Sequence, residues 1–184
     1  MISMELCPLL IKKLDERKAD ILLSVYGFAA SIFSFVIGHF WFQSPDNMVL
    51  TVLIYASLFL IGLQFGAVTL MPMIMTADCV DYYEYETGKR MEGAAYSILT
   101  LTIKVCLALG TAVGLIFVQV SGYYDALGAG TFTTKTKDII FFAYTALPGV
   151  LALLSIFPMF KYDIVGEKKA QISAALSQRR AGKE

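Results

Sequence analysis

Long apolar stretches alternate with short polar segments along this chain. Four stretches carry almost no charged residues: Ile21–Phe42, Met48–Thr76, Gly93–Val120 and Ile139–Phe160. The shortest have 22 residues, and a helix of that length reaches roughly 33 Å, enough to cross a hydrocarbon core of about 30 Å. None alternates polar and apolar residues as the strands of a membrane barrel do. The pattern predicts an all-α membrane protein with four transmembrane helices, because a helix satisfies its own backbone hydrogen bonds in lipid.

The composition supports a membrane protein and excludes several other classes. Of the 184 residues, 57% are hydrophobic and 16% are charged, whereas soluble domains average about 25% charged residues. Fifteen basic and fifteen acidic residues cancel, which argues against a nucleic-acid partner because such binding depends on excess positive charge. Cys7, Cys79 and Cys106 lie far apart and only one histidine, His39, is present. No metal site or disulfide framework is therefore predicted.

The regions outside the spans predict the orientation of the chain. With four crossings, the basic N-terminal segment 1–20, the loop 77–92 and the basic tail 161–184 share one side, leaving 21–160 as the transmembrane domain. That side holds twelve Lys and Arg residues, whereas the opposite side holds only Lys135 and Lys137. The positive-inside rule therefore predicts that both termini are cytoplasmic. In the tail, Ile172 and Leu176 are one turn apart, which indicates a surface helix. We expect this helix to be solvated rather than bound to the cytoplasmic leaflet.

Small residues and prolines predict how the helices pack and bend. Small residues recur one turn apart in three spans, as Ala30, Ser34 and Gly38, as Gly62 and Gly66, and as Gly110 and Gly114. This spacing lets helix backbones approach closely and predicts tight packing, with a helix dimer or a hinge as alternatives. Pro72 and Pro148 each remove a backbone hydrogen bond, so both helices should bend.

Lys104 is the one charged residue inside a span. It lies about ten residues from the cytoplasmic end, roughly 15 Å deep and near the bilayer midplane. A lysine at that depth costs about 2.5–3.5 kcal/mol on insertion scales, so it usually borders a water-filled path and pairs with a carboxylate. A purely structural ion pair is the alternative. Since no other span residue is charged, the partner is expected outside the four spans.

The segment from Asp78 to Glu92 concentrates charge beside a helix end. It holds five acidic and two basic residues. One interpretation is a solvated loop on the positive side of the membrane. The other is a salt-bridge network to a second protein domain, of the kind that is made and broken in conformational change. The residue types alone leave both open. With His39 isolated and no nucleophile beside a base, the chain is not expected to be an enzyme.

Residues 77–110 read ADCVDYYEYETGKRMEGAAYSILTLTIKVCLALG. This stretch resembles the signature of the glycoside-pentoside-hexuronide:cation symporters, the melibiose-carrier-like branch of the major facilitator superfamily. In that family AD-x-VDYGE-x-x-T-G-x-R-x-E-G links helix ten to helix eleven, and a lysine follows in helix eleven. The matching residues are Asp78, Asp81, Tyr82, Glu84, Thr87, Gly88, Arg90, Glu92, Gly93 and Lys104. The similarity continues through Gly122-Tyr123, Ala146-Leu147-Pro148 and the basic tail, and so covers essentially the whole chain.

The resemblance implies that the spans are helices nine to twelve of a twelve-helix carrier. It implies a sodium- or proton-coupled sugar or glycoside symporter of the cell membrane that works by alternating access. The residues implied to line the substrate cavity are Thr69, Thr100, Ile103 and Lys104, and those implied to form a cytoplasmic gate are Asp78, Asp81, Glu84, Arg90 and Glu92. The N-terminal helices, absent here, would be the partner that supplies the cation site and the carboxylates facing Lys104. No other cofactor is implied.

Some residues depart from the family pattern. Tyr83 stands where the family has glycine, and Glu86 where a basic residue is common. Thr69 replaces a cavity tryptophan and Leu99 a glutamine, which points away from melibiose itself and leaves the sugar class open. Two alternatives remain: a carrier of a lipid or other amphiphile, and a self-contained four-helix structural or assembly protein. The second alternative leaves Lys104 without an acidic partner.

Overall fold

A computed structural model describes the backbone of residues 2–181 and the side chains of residues 14–66 and 68–181. The helices in chain order are α1 (Ile2–Gln43), α2 (Met48–Thr87), α3 (Glu92–Val120), α4 (Tyr123–Ala129), α5 (Thr134–Tyr144), α6 (Ala146–Leu154), α7 (Ile156–Met159) and α8 (Gly166–Ala181). Four helical stretches are long and apolar enough to cross a membrane: Leu14–Gln43, Met48–Thr87, Glu92–Val120 and Thr134–Met159. The predicted all-α, four-span architecture is therefore confirmed.

The N-terminal segment 1–20 is helical from Ile2 onward, which the hydropathy pattern did not predict. The helix is interrupted at Asp15, whose φ of 62° and ψ of 158° fall in a region that L-residues rarely adopt. This interruption lies within the basic segment 1–20 that was predicted to precede the first span. The side chains of Cys7, Lys12 and Lys13, and the tail beyond residue 181, lie outside the described part of the chain.

The second predicted loop is also largely helical. α2 continues through residues 77–87 and ends at Gly88, which has a φ of 71° and donates its N–H to the carbonyl of Glu84. Only residues 88–91 form the turn into α3, so the loop 77–92 was predicted too long. Pro72 lies inside α2, which continues on both sides of it.

The fourth span is broken into three helices by two prolines. α5 ends at Tyr144 and α6 at Leu154. These residues lie four positions before Pro148 and Pro158. A proline has no N–H to bond the carbonyl four residues earlier and its ring clashes with that carbonyl, so each helix ends there. The bend predicted from Pro148 is confirmed, and Pro158 adds a second break.

α1 packs against both α2 and α6 through small residues. The hydroxyl of Ser57 donates to that of Ser34 at 3.1 Å, and both side chains are fully buried. Gly38 lies against Phe141 of α5, and Ala30 is buried. The packing predicted for the Ala30, Ser34 and Gly38 stripe is confirmed. In contrast, within the described residues nothing lies within 4 Å of a Cβ placed at Gly62, Gly110 or Gly114, so tight packing at those glycines was wrong for this chain.

Two glycine-to-alanine substitutions should distinguish a glycine packed against a neighbouring helix from a glycine with no neighbour within 4 Å. A Cβ at Gly149 would lie 2.5 Å from Cβ of Ser31, and overpacking of this kind typically costs about 1–3 kcal/mol. Gly149→Ala is therefore expected to lower the unfolding temperature in detergent, followed by circular dichroism. Gly110→Ala is the control and should be neutral or stabilising by up to about 1 kcal/mol through helix propensity. Equal destabilisation by both variants would contradict the close approach of Gly149 in α6 to Ser31 in α1.

Candidate functional site

Lys104 lies on α3, the least enclosed helix of the bundle. None of the residues from Glu92 to Val120 is buried. Large apolar side chains such as Leu101, Leu107 and Leu115 are mostly exposed. α3 touches α2 and α5 but leaves most of its circumference uncovered. A helix this apolar needs lipid or further helices around it.

An open hollow of about 430 Å³ lies against the face of α3 that carries Lys104. Its lining consists of Gly93, Tyr96, Ser97, Thr100, Leu101 and Lys104. These residues recur at spacings of three and four, so they lie on one face of α3. Lys104 and Thr100, two of the residues implied by the family resemblance, are thus brought together.

The other two implied cavity residues lie elsewhere. Ile103 is exposed on α3, but it does not line this hollow. Thr69 is on α2, outside the hollow, and its hydroxyl donates to the carbonyl of Phe65 at 2.8 Å. Tyr96 and Ser97 were not identified from the sequence. Counting back two turns from Lys104 would have found both, because they share its helix face.

The hollow presents both hydrogen-bond acceptors and a donor. The hydroxyls of Ser97 and Thr100 donate to carbonyls one turn earlier, at 2.6 Å and 2.8 Å. Their protons are therefore used within the helix, and their oxygens remain as acceptors. The ammonium of Lys104 contributes up to three donors and a positive charge. Such a surface can hold a ligand with several hydroxyls or a carboxylate.

No carboxylate forms an ion pair with Lys104 within the part of the chain that the structure describes. The four predicted spans contain no acidic residue. An ammonium at midplane depth without a counter-charge is unfavourable in lipid.

Most of the predicted gate residues meet around Arg90 in the turn between α2 and α3. Nη1 of Arg90 lies 2.7 Å from Oε2 of Glu84 and 3.4 Å from Oδ1 of Asp81, and its guanidinium also pairs with Glu92. From α8, Nη2 of Arg180 lies 3.0 Å from Oε2 of Glu84. The charged segment is therefore a salt-bridge network, but its additional partner is the tail of the same chain.

Asp78 belongs to a second, more buried cluster. Nζ of Lys169, on α8, lies 2.7 Å from Oδ1 of Asp78 and 2.7 Å from Oε1 of Glu16 at the start of the first span. The hydroxyl of Tyr162 donates to Asp78 at 3.1 Å. Both carboxylate side chains are only 9% exposed. One lysine thus joins three segments of the chain, and Asp78 does not lie with the other predicted gate residues.

The pKa values of this cluster indicate a stable pairing at neutral pH. Burial opposes the charge of Lys169, but the hydrogen bonds to Asp78 and Glu16 outweigh it and raise the pKa of the amine. Burial, followed by the charge of Asp78, raises the pKa of the Tyr162 phenol. A raised folded-state pKa stabilises the folded arrangement below the unfolded value, about 10 for both groups, and the gain is lost as pH rises through the folded value.

The tail is packed rather than solvated. Ile172 and Leu176 of α8 are buried with Ile164, and the side chains of Tyr82 and Tyr162 pack against them. The predicted helix in the tail is confirmed. The solvated tail is wrong, since the apolar stripe of α8 docks on the end of α2.

His39 is not isolated, contrary to the prediction. Its Nδ1 lies 2.9 Å from Oδ2 of Asp138 and its Nε2 lies 2.9 Å from Nε2 of Gln43. The amide nitrogen of Gln43 donates, so Nε2 accepts and the Nδ1–H donates to Asp138. These contacts tie α1 to α5 without bringing a nucleophile to the imidazole.

The chain is similar to a known family and to several curated proteins. The family described as MFS/sugar transport protein matches residues 1–166. The inner membrane symporter YicJ of Escherichia coli K12 is 31% identical over 108 residues, which are 59% of this chain and 23% of that protein. The glucuronide carrier protein homolog of the same strain is 28% identical over 109 residues, 58% of this chain and 22% of that protein. The uncharacterized symporter YjmB of Bacillus subtilis 168 is 26% identical over 185 residues, 94% of this chain and 35% of that protein.

The chain spans less than half the length of these curated relatives. No solved structure matches it. The symporter relatives confirm the resemblance inferred from residues 77–110, and the apolar helices confirm a multi-pass membrane protein. Since the match covers 166 of the 184 residues, the chain belongs to the MFS/sugar transport protein family, a group of membrane transporters rather than enzymes.

Proposed function

We propose that this chain forms helices nine to twelve of a cation-coupled sugar or glycoside symporter and needs further helices for transport. The observation that carries the proposal is the hollow around Lys104. It combines hydroxyl acceptors with an ammonium donor, and no carboxylate pairs with Lys104 in the described residues. Sugars need both kinds of partner because each hydroxyl donates and accepts. The relative named as a glucuronide carrier protein homolog supports the same class of substrate.

In this proposal Lys104 and Thr100 form the C-terminal wall of the substrate site at the hollow. Ile103 on α3 and Thr69 on the neighbouring helix lie outside the hollow and belong to the site only as the family resemblance implies. The N-terminal helices contribute the facing carboxylates, which bind the coupling sodium ion or proton. Two helical bundles rock about this midplane site and expose it to one side at a time. Charge neutralisation across the site then requires both bundles, which couples substrate binding to their closure.

The network around Arg90 forms the cytoplasmic gate in this proposal. Asp81, Glu84 and Glu92 surround Arg90 at the end of α2, where side chains from another bundle can exchange for them. Asp78 contributes indirectly by holding α8 against that end. The start of the first span, the end of α2 and α8 come together at one end of the bundle, as expected if both termini are cytoplasmic in the cell membrane.

The proposal is tested by transport with the complete reading frame that encodes these residues. We expect that an imposed sodium or proton gradient drives uptake of at least one glycoside from a panel of glucuronides, pentosides and galactosides. Proteoliposomes without a gradient are the control. Gradient-driven uptake of amphiphiles alone would favour the lipid carrier. A reading frame with no helices preceding these four, and no uptake, would favour the structural or assembly protein.

A further inference from the structure

A second hollow, of about 510 Å³, lies near the other end of α1, away from α8. It is formed by the end of α1, by α4 and by α5. Its aromatic and charged lining consists of Phe42, Tyr123, Phe132, Phe141, Tyr144 and Lys137. The rings are held against one another: Phe42 and Phe141 meet edge to face at 5.5 Å, and Tyr123 lies 5.4 Å from Phe132. The hollow is therefore a built aromatic surface with one positive charge.

The hollow runs along α5 from the membrane edge into the hydrocarbon. Lys137, Ile140, Phe141 and Tyr144 are spaced by three and four residues, so they form one stripe of the helix. The stripe is about 10 Å long at 1.5 Å per residue. The apolar run of the fourth span begins at residue 139, so Lys137 lies at the interface and Tyr144 lies at acyl-chain depth. Tyr144 is nevertheless 65% exposed.

This hollow opens away from the Lys104 site. Phe142 of α5 packs against Phe117 of α3, with ring centroids 6.1 Å apart. At 3.6 residues per turn, Phe142 points about 140° away from the direction of Lys137. The stripe therefore faces away from α3, and helices that complete the site at Lys104 do not have to cover it.

We propose that this hollow binds an anionic phospholipid. The phosphate pairs with Lys137, and one acyl chain lies along Ile140 and Tyr144. Lys137 pairs with no carboxylate within the described part of the chain, so its charge is available to a ligand. Aromatic side chains at the membrane interface favour the boundary between headgroup and acyl chain. A free phosphate would leave the inner, apolar part of the hollow unfilled.

The single tryptophan of the chain reports on this site. Trp41 is the only tryptophan, and its ring lies 5.5 Å from that of Phe42 in the lining. The full chain is reconstituted in phosphatidylcholine vesicles, and Trp41 fluorescence is measured while lipid brominated in the upper acyl chain is added. We expect brominated phosphatidylglycerol to quench with an apparent affinity up to about fivefold higher than that of brominated phosphatidylcholine. This is the ratio that a single exposed ion pair supplies.

Two lysines of the same helix provide the matched variants. Lys137→Gln should remove the preference for the anionic lipid, whereas Lys135→Gln should keep it, because Lys135 does not line the hollow. Equal quenching by both lipids in the unchanged chain would overturn the proposal. A preference for the anionic lipid that survives Lys137→Gln would overturn the proposed pairing of the phosphate with Lys137. Loss of quenching by both lipids as the protein concentration rises would show that a second copy fills the hollow instead.

Discussion

Replacing Lys104 with valine in the complete carrier is expected to abolish gradient-driven uptake while membrane insertion survives. Removing one member of a buried, hydrogen-bonded charge pair costs about 2–5 kcal/mol, a loss of at least about thirtyfold in affinity. Insertion should not suffer, because valine makes the span more apolar. The measurements are initial uptake rates in inverted or right-side-out vesicles and the amount of carrier in the membrane.

Two threonines of α3 provide a matched test of the face that carries the site. Thr100 lines the hollow with Lys104, whereas Thr102 is exposed elsewhere on the helix. Both hydroxyls donate to a carbonyl one turn earlier, so replacement by valine removes the same helix contact in each case. Thr100→Val should weaken substrate affinity about fivefold, from the loss of one neutral hydrogen bond of about 1 kcal/mol, and Thr102→Val should not. Unimpaired uptake by Lys104→Val would remove the role proposed for the lysine.

The transmembrane architecture could be predicted because it depends on local composition. A run of about twenty apolar residues is sufficient to specify a membrane-crossing helix, whatever it packs against. The four spans lie in the structure where the apolar runs predicted them, without knowledge of any contact between helices.

The ends of the helices were harder to predict because hydropathy marks the membrane and not the helix. Residues 77–87 carry charges, so the apolar run stops at Thr76, yet α2 continues to Thr87. A helix that leaves the membrane keeps its backbone hydrogen bonds, and its polar side chains then face water. At the prolines, in contrast, a helix ends although the apolar run continues. Pro148 and Pro158 lie in an unbroken apolar run, and only their effect on the carbonyl four residues earlier divides it.

The division of the gate residues into two clusters depends on contacts that are distant in sequence. Lys169 and Glu16 are separated by 153 positions, and nothing in the local pattern of either segment indicates the pair. The packing of the small residues also depends on contacts that are distant in sequence. The stripe at Ala30, Ser34 and Gly38 and the pair at Gly110 and Gly114 have the same spacing. Among the residues that the structure describes, only the first meets other helices. Spacing identifies surfaces able to pack closely, and the neighbours decide which do.

The docking of α8 makes Lys169 the residue whose loss should most disturb the end of the bundle where α8 meets α2 and the start of the first span. Lys169→Gln would leave the side chains of Asp78 and Glu16, each 9% exposed, without their shared cation. Breaking a buried pair costs about 3–5 kcal/mol. Because the side chain of Lys169 is 37% exposed, solvent screening reduces this cost. We expect Lys169→Gln to destabilise the docking of α8 by about 2 kcal/mol. Amide hydrogen exchange in residues 166–181 should then become roughly thirtyfold faster, because the helix opens locally more often.

The adjacent lysine provides the control. Lys168 also forms an ion pair, with Oδ2 of Asp163 at 2.6 Å, but that carboxylate is 71% exposed. Exposed pairs contribute little to stability because solvent screens them, so Lys168→Gln should change exchange in α8 far less than Lys169→Gln does. Equal acceleration in both variants would mean that α8 is held by its general positive charge. No acceleration in Lys169→Gln would mean that burial of Ile172 and Leu176 alone holds the helix.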